Sequence, residues 1–188
     1  MKRLGILLSG RGSNFEAIAN AVRAGRLPAE IAVVISNRPE APGLQTARFL
    51  GLNAISLPSP GTARADYDAQ LVAILHQNKV DLVCLAGFLR LLTPVMIQAF
   101  PNRIVNIHPS LLPAFPGLHA QRQALDYGVK ITGCTVHYVT EEMDAGPILR
   151  QAVVPVCAGD NEEDLTKRIL AAEHQLYVET LYDVLTKI

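Results

Sequence analysis

Tryptophan is absent from this 188-residue chain, and all aromatic residues together make up only 5% of it. The core must therefore be built from aliphatic side chains. A net charge of either sign is also absent, with 17 Lys and Arg against 17 Asp and Glu. That balance argues against a general nucleic-acid binder, which carries a basic excess or stripe. It leaves room for anionic ligands held by a few local groups. No apolar run approaches the roughly 18 residues that would span a bilayer, so a membrane partner is not expected. The charged start Met1-Lys2-Arg3 leads into an apolar run that stops at Leu8, too short for a secretory signal. The expectation is a soluble, cytoplasmic protein. Cysteine is scarce as well. Cys84, Cys134 and Cys157 are odd in number and show no C-x-x-C spacing, which argues against a disulfide framework or a zinc knuckle. They are expected to be buried free thiols in a reducing compartment.

What is present is an ordered globule: 49% hydrophobic and 18% charged residues, enough length for one domain over 1–188, and 13 Gly with 12 Pro to shape its turns. Short continuous apolar runs at Leu4–Leu8, Ile31–Ile35, Ala54–Leu57, Leu82–Leu85 and Ile104–Ile107 suit strands buried on both faces. Helical segments alternate with them: one from Ser13 with Ser13-Asn14 as its cap, then Gly43–Leu50, Arg64–His76 and Pro94–Phe100. This order predicts an α/β fold with an open, mostly parallel twisted sheet. After His108 the texture changes. A proline-rich loop spans 109–116, a helix Ala120–Tyr127, and an antiparallel strand pair is expected at Thr132–Val139 and Ile148–Val156. Glu162–Leu185 is a long closing helix capped by Asn161, and His76 and His174 fall on helix surfaces.

In such sheets ligands bind beyond the carboxyl ends of the strands. Ser9-Gly10-Arg11-Gly12-Ser13-Asn14 lies at one such end. Glycines there let an anion approach free backbone N–H groups at a helix start, and Ser13 and Asn14 add side-chain donors. A dinucleotide fingerprint is excluded because Phe15 stands where a third small residue is needed and no acid closes the second strand, which ends Ser36-Asn37. A Gly-Lys-Ser/Thr sequence is missing too. The turn reads as a monophosphate cradle, although a tight strand-to-helix connection needs the same residues and binds nothing.

Asn106 and His108 alternate at the end of a strand, so their side chains share one side. An amide can donate to a carbonyl oxygen, and an imidazole can serve as acid, base or oxyanion stabiliser. Asp144, in the turn Met143-Asp144-Ala145-Gly146-Pro147, could orient that imidazole. Sequence spacing alone does not bring it there, and a lone His is more often structural. No G-x-S-x-G nucleophile and no H-E-x-x-H metal spacing is present, and His137 could face either the site or solvent.

Together these segments resemble the folate-dependent formyltransferases over nearly the whole chain. The resemblance rests on Asn106-Ile107-His108-Pro109-Ser110-Leu111-Leu112-Pro113, Pro116-Gly117-Leu118-His119, Gly133-Cys134-Thr135-Val136-His137-Tyr138-Val139 and Asp144-Ala145-Gly146-Pro147. The opening Ser-Gly-x-Gly-Ser-Asn turn and Leu85–Leu92 narrow it to the branch acting on glycinamide ribonucleotide in purine synthesis. The resemblance implies a Rossmann-like fold whose N-terminal half binds the ribonucleotide and whose C-terminal half binds folate and carries the chemistry. It implies formyl transfer from 10-formyltetrahydrofolate, as co-substrate, to the ribonucleotide amine, with no metal. Catalysis falls by this likeness to Asn106, His108 and Asp144: Asn106 holds the formyl oxygen, and Asp144 keeps His108 charged. Gly12, Ser13, Asn14, Pro109, Gly117 and Glu173 match ribonucleotide positions. Arg64, Leu89, Arg90, Leu91, Leu92 and Asn106 match folate positions. Implied partners are these small molecules, with the chain a monomer or homodimer. Departures from the pattern are Leu89 for the commoner Met, Arg11 within the turn, and Leu170 and Ala172 for commoner polar residues. A tRNA formyltransferase would need a further RNA-binding domain, and a formyl-folate hydrolase a regulatory one.

Overall fold

The computed structural model describes all of residues 1–188. Seven strands form one sheet in the order β3-β2-β1-β4-β5-β6-β7. These are β1 (Lys2–Leu8), β2 (Ala29–Ser36), β3 (Ala54–Ser56), β4 (Leu82–Leu85), β5 (Ile104–His108), β6 (Ile131–Tyr138) and β7 (Ile148–Pro155). The first five pair in parallel, and β6 and β7 add antiparallel. The helices are α1 (Ser13–Arg23), α2 (Pro42–Phe49), α3 (Arg64–Gln77), α4 (Pro94–Ala99), α5 (Ala120–Tyr127) and α6 (Glu162–Leu185). The expected α/β sheet, its antiparallel pair and the closing helix are all found, with ends moved by one or two residues.

Alternation along the buried strands divides the core between two layers. Leu4, Ile6 and Leu8 of β1 face the cluster that includes α1 and α6 residues, while Leu7 faces the α3 and α4 layer. Gly5 has no side chain because Leu75 of α3 occupies the space a Cβ would need. Closing helix α6 starts with a reciprocal cap between Asn161 and Asp164. Its buried Tyr177 places a hydroxyl 3.0 and 2.9 Å from the carbonyls of Leu85 and Val105, fixing the helix to β4 and β5.

Chain order reverses between β1 and β4: the chain leaves β1 toward β2 and returns on the other flank to β4. At such a switch point the loops diverge and leave a crevice. Its edges are tied together at the carboxyl ends. Ser9 N–H donates to the Gly87 carbonyl (3.0 Å), Ser9 Oγ donates to Asn37 Oδ1 (2.5 Å), and Leu89 N–H donates to Ser9 Oγ (2.8 Å).

Three expectations need correction. Ser13 and Asn14 do not cap α1: Gly12 holds that position with φ 76°, and no side chain caps the helix. Cys84 and Cys134 are buried free thiols, but Cys157 is exposed in the loop after β7. His174 is half-buried rather than on an open helix face, and its Nε2 has no partner.

Candidate active site

A cavity of about 820 Å³ opens at the switch point. Its lining includes Gly10–Asn14 after β1, Arg38 after β2, Leu85–Leu92 after β4, Asn106–Pro109 at the end of β5, His137 of β6, Val139–Asp144, and Leu170 and Glu173 of α6. The lining thus draws on both halves of the chain.

At its centre stand four side chains. Asn106 and His108 project from β5 on one side, as period two requires. Asp144 reaches them: its Oδ2 lies 3.5 Å from His108 Nδ1, with both side chains largely buried. Two local features set that carboxylate. Asp144 adopts φ 53°, and its Oδ2 accepts the Gly117 N–H at 2.7 Å. Gly146, two residues on, has no side chain because the Tyr138 carbonyl occupies the Cβ position. The other nitrogen of His108, Nε2, lies 2.9 Å from the Phe115 carbonyl. Both ring nitrogens therefore face oxygens, Nε2 at hydrogen-bond distance from a carbonyl and Nδ1 in a longer contact with the Asp144 carboxylate.

His137 was the residue whose direction stayed open. It faces the site. It sits opposite Asn106 in the β5–β6 ladder and is 2% exposed. Its Nδ1 lies 2.9 Å from the Tyr138 carbonyl, so Nδ1 carries the proton. Its Nε2 is then an acceptor, 3.2 Å from Asn106 Nδ2. Burial disfavours the charged ring and lowers its pKa, against a smaller opposing pull from Tyr138's carbonyl and from Asp144, whose Oδ1 is 3.9 Å away. A neutral His137 thus holds one N–H of the Asn106 amide. Antiparallel pairing with β5 was the signal that could have revealed this: once Asn106 faces the site, its cross-strand partner does too.

Toward α1, the first helical hydrogen bond runs from Glu16 N–H to the Gly12 carbonyl (2.9 Å). The N–H groups of Ser13, Asn14 and Phe15 therefore have no helical partner. Asn14's side chain is not the free donor expected. Its Nδ2 donates to Glu173 Oε2 at 2.8 Å, and both residues are buried. Burial pushes the Glu173 carboxyl up to about 7, against the smaller lowering effect of the Asn14 bond.

At the opposite end, Leu89 and Leu91 are half exposed and present apolar surface, while Leu92 is buried. Arg90 lies 4.2 Å over the Tyr67 ring of α3. Its Nε and Nη2 are buried and have no acceptor in the chain. Arg64 is not brought into this cavity. It is exposed at the first residue of α3, one turn from Tyr67.

The loop between Pro109 and Gly117 is pinned over the site. Thr135 Oγ1 donates to the Ser110 carbonyl (2.7 Å) and accepts from Leu112 N–H (3.0 Å), and Gln151 Nε2 donates to the Leu112 carbonyl (2.9 Å).

The model of a family described as formyl transferase matches residues 2–181. The chain belongs to the formyl transferase family. It is 43% identical to the phosphoribosylglycinamide formyltransferase of Escherichia coli K12, covering 92% of this chain and 82% of that protein. It is 46% identical to the trifunctional purine biosynthetic protein adenosine-3 of Drosophila melanogaster across 96% of this chain, but spans only 14% of that longer protein. The crystal structure of glycinamide ribonucleotide transformylase 1 from Symbiobacterium toebii superposes with a TM-score of 0.95 at 55% identity, covering 97% of this chain and 86% of that one. A phosphoribosylglycinamide formyltransferase from Bacillus halodurans gives 0.94 at 44% identity, covering 99% and 96%. The fold of this formyl transferase is therefore that of solved formyltransferases. No helix in it is long and apolar enough to cross a membrane.

Proposed function

We propose that this formyl transferase moves the formyl group of 10-formyltetrahydrofolate to the amine of glycinamide ribonucleotide, giving formylglycinamide ribonucleotide and tetrahydrofolate. The observation that carries the reading is the central cluster. One amide donor and one imidazole with acceptors at both nitrogens stand midway between an anion-binding turn and an apolar end that has an unpaired guanidinium.

Backbone N–H groups of the Gly12–Asn14 turn and Ser13 Oγ receive the phosphate, with Glu173, Pro109 and Gly117 along the ribose and glycinamide. The folate ring packs on Leu89, Leu91 and Leu92, Arg90 meets its polar groups, and Arg64 meets a tail leaving the cavity over α3. The amine nitrogen then attacks the formyl carbon, and the carbonyl electron pair moves onto oxygen. Asn106 donates its remaining N–H to that oxygen, and the His108 cation stabilises it. For this, His108 Nε2–H exchanges the Phe115 carbonyl for the substrate. Breaking the bond from carbon to folate N10 returns the electron pair to N10, which takes the His108 proton. The attacking nitrogen passes one proton to the now neutral His108 ring, directly or through water, as the oxygen's electron pair re-forms the carbonyl, so the His108 cation is restored and the overall proton count is unchanged. Asp144 holds the ring in place throughout. No covalent enzyme intermediate is required and no step is assigned to a metal.

The test is a spectroscopic assay of folate release with and without glycinamide ribonucleotide. Release should depend on the ribonucleotide. An equal rate without it would identify a hydrolase and reject the reading.

A further inference from the structure

Asn14 leaves a deficit at the phosphate end. One of its two amide N–H groups is committed to Glu173, whose carboxyl is buried beside the same turn. A phosphate bound there meets only uncharged donors, the backbone N–H groups and Ser13, beside the buried Glu173 carboxyl, and Leu170 on the cavity wall adds no charge. A phosphate dianion in that position needs cations from elsewhere, and the molecule has no net positive field to supply them.

The cavity wall contains three arginines and no lysine: Arg90 at the apolar end, and Arg11 and Arg38 at the phosphate end. Arg11 lies in the turn after β1 and Arg38 in the loop after the adjacent parallel strand β2, where Leu8 pairs with Ser36, so both reach the same cavity wall. Both are exposed. Neither guanidinium takes part in an ion pair or a hydrogen bond within the chain, unlike those of Arg3, Arg122, Arg150 and Arg168. Their backbones are nevertheless fixed. Gly43 N–H donates to the Gly10 carbonyl at 3.1 Å, and Gly43 lacks a Cβ where Leu8 and the Gly10 and Arg11 carbonyls crowd it. Ser36 Oγ brackets Arg38, accepting from its N–H at 3.1 Å and donating to its carbonyl at 2.9 Å. Anchored backbones with uncommitted guanidinium groups suit a ligand charge rather than a protein one.

We infer that Arg11 and Arg38 form a guanidinium clamp that makes this site select a phosphorylated acceptor over its phosphate-free riboside. The inference rests on the ribonucleotide reading above. Charge-assisted bonds to phosphate add to the backbone contacts, and the clamp acts on binding rather than on formyl transfer, because the reacting carbon lies at Asn106 and His108.

The experiment compares the unaltered enzyme with Arg11→Gln, Arg38→Gln and the double variant, each assayed with glycinamide ribonucleotide and with glycinamide riboside. Each single change should raise the ribonucleotide KM about tenfold and the double change about 30-fold or more. The kcat, the folate KM and the riboside KM should stay within about twofold. Inorganic phosphate should inhibit the unaltered enzyme competitively and lose that effect in the double variant. An unchanged ribonucleotide KM, or equal rises for ribonucleotide and riboside, overturns the clamp. In those two cases the unaltered enzyme still shows ribonucleotide-dependent turnover. Loss of that dependence is the separate result that rejects the functional reading together with the clamp.

Discussion

Residue by residue, the site depends on which nitrogen carries which proton. His137 is useful to Asn106 only while neutral, since a protonated Nε2 cannot accept the amide N–H. Replacing it with Leu leaves that N–H unpaired and lets the amide turn. We expect kcat to fall roughly 10- to 100-fold with little change in either KM. His137→Gln, whose oxygen can accept in place of Nε2, should recover most of the loss. Steady-state kinetics on both variants check this, and full activity in the Leu variant would remove His137 from the account. Glu173 offers a second check at this scale. Its carboxyl is raised from 4.5 to about 7 by burial, so between those values the folded protein keeps a proton that the unfolded chain has lost. Stability must then fall as pH rises through that interval and remain lowered above it. Glu173→Gln removes the effect, with a gain at pH 8 of up to about 3 kcal/mol and a flatter profile of melting temperature against pH. Parallel profiles for the two proteins would contradict the burial argument. Sequence could name Asn106, His108 and Asp144 as residue types in a recognisable pattern. It could not show that Asn14 is tied to Glu173, a contact spanning 159 positions that exists only because α6 packs against α1.

At the level of elements, most of the fold was legible. Buried parallel strands are continuous apolar runs, and Leu82–Leu85 and Glu162–Leu185 fall where the pattern put them. The start of α1 was misread for a physical reason. Ser-Asn normally signals a cap, but here Gly12 takes the left-handed conformation and supplies the cap residue itself, leaving Ser13 and Asn14 inside the helix. A side chain at Gly12 would be strained by that conformation and would press on Gly43 Cα at 3.1 Å and on Leu8. Gly12→Val should therefore displace the turn. We expect the ribonucleotide KM to rise about tenfold or more, from a strain of roughly 1–2 kcal/mol, with the folate KM little changed. An unaltered ribonucleotide KM would show that the turn does not hold the phosphate.

For the whole molecule, the 17-to-17 charge balance means that binding of the two proposed anionic substrates is a local affair. Long-range steering needs a summed field, and salt screens such fields steeply. The second-order rate constant kcat/KM should change by less than about threefold between 0.05 and 0.3 M salt. A much steeper loss, seen in rates across a salt series, would reveal an asymmetric field that the total conceals. The same scale explains why the site sits where it does. The reversal of strand order between β1 and β4 opens the crevice, and the antiparallel β6 brings His137 to its wall.

The central claim is that His108, held by Asp144, acts on the transition state and not on substrate binding. The direct measurement is His108→Ala, with kcat from single-turnover formyl transfer and the ribonucleotide Kd from titration of the same protein. The account predicts a fall in the rate of about a hundredfold or more with Kd within a few-fold of the unaltered enzyme. A near-normal rate, or a loss that appears wholly in Kd, would contradict it.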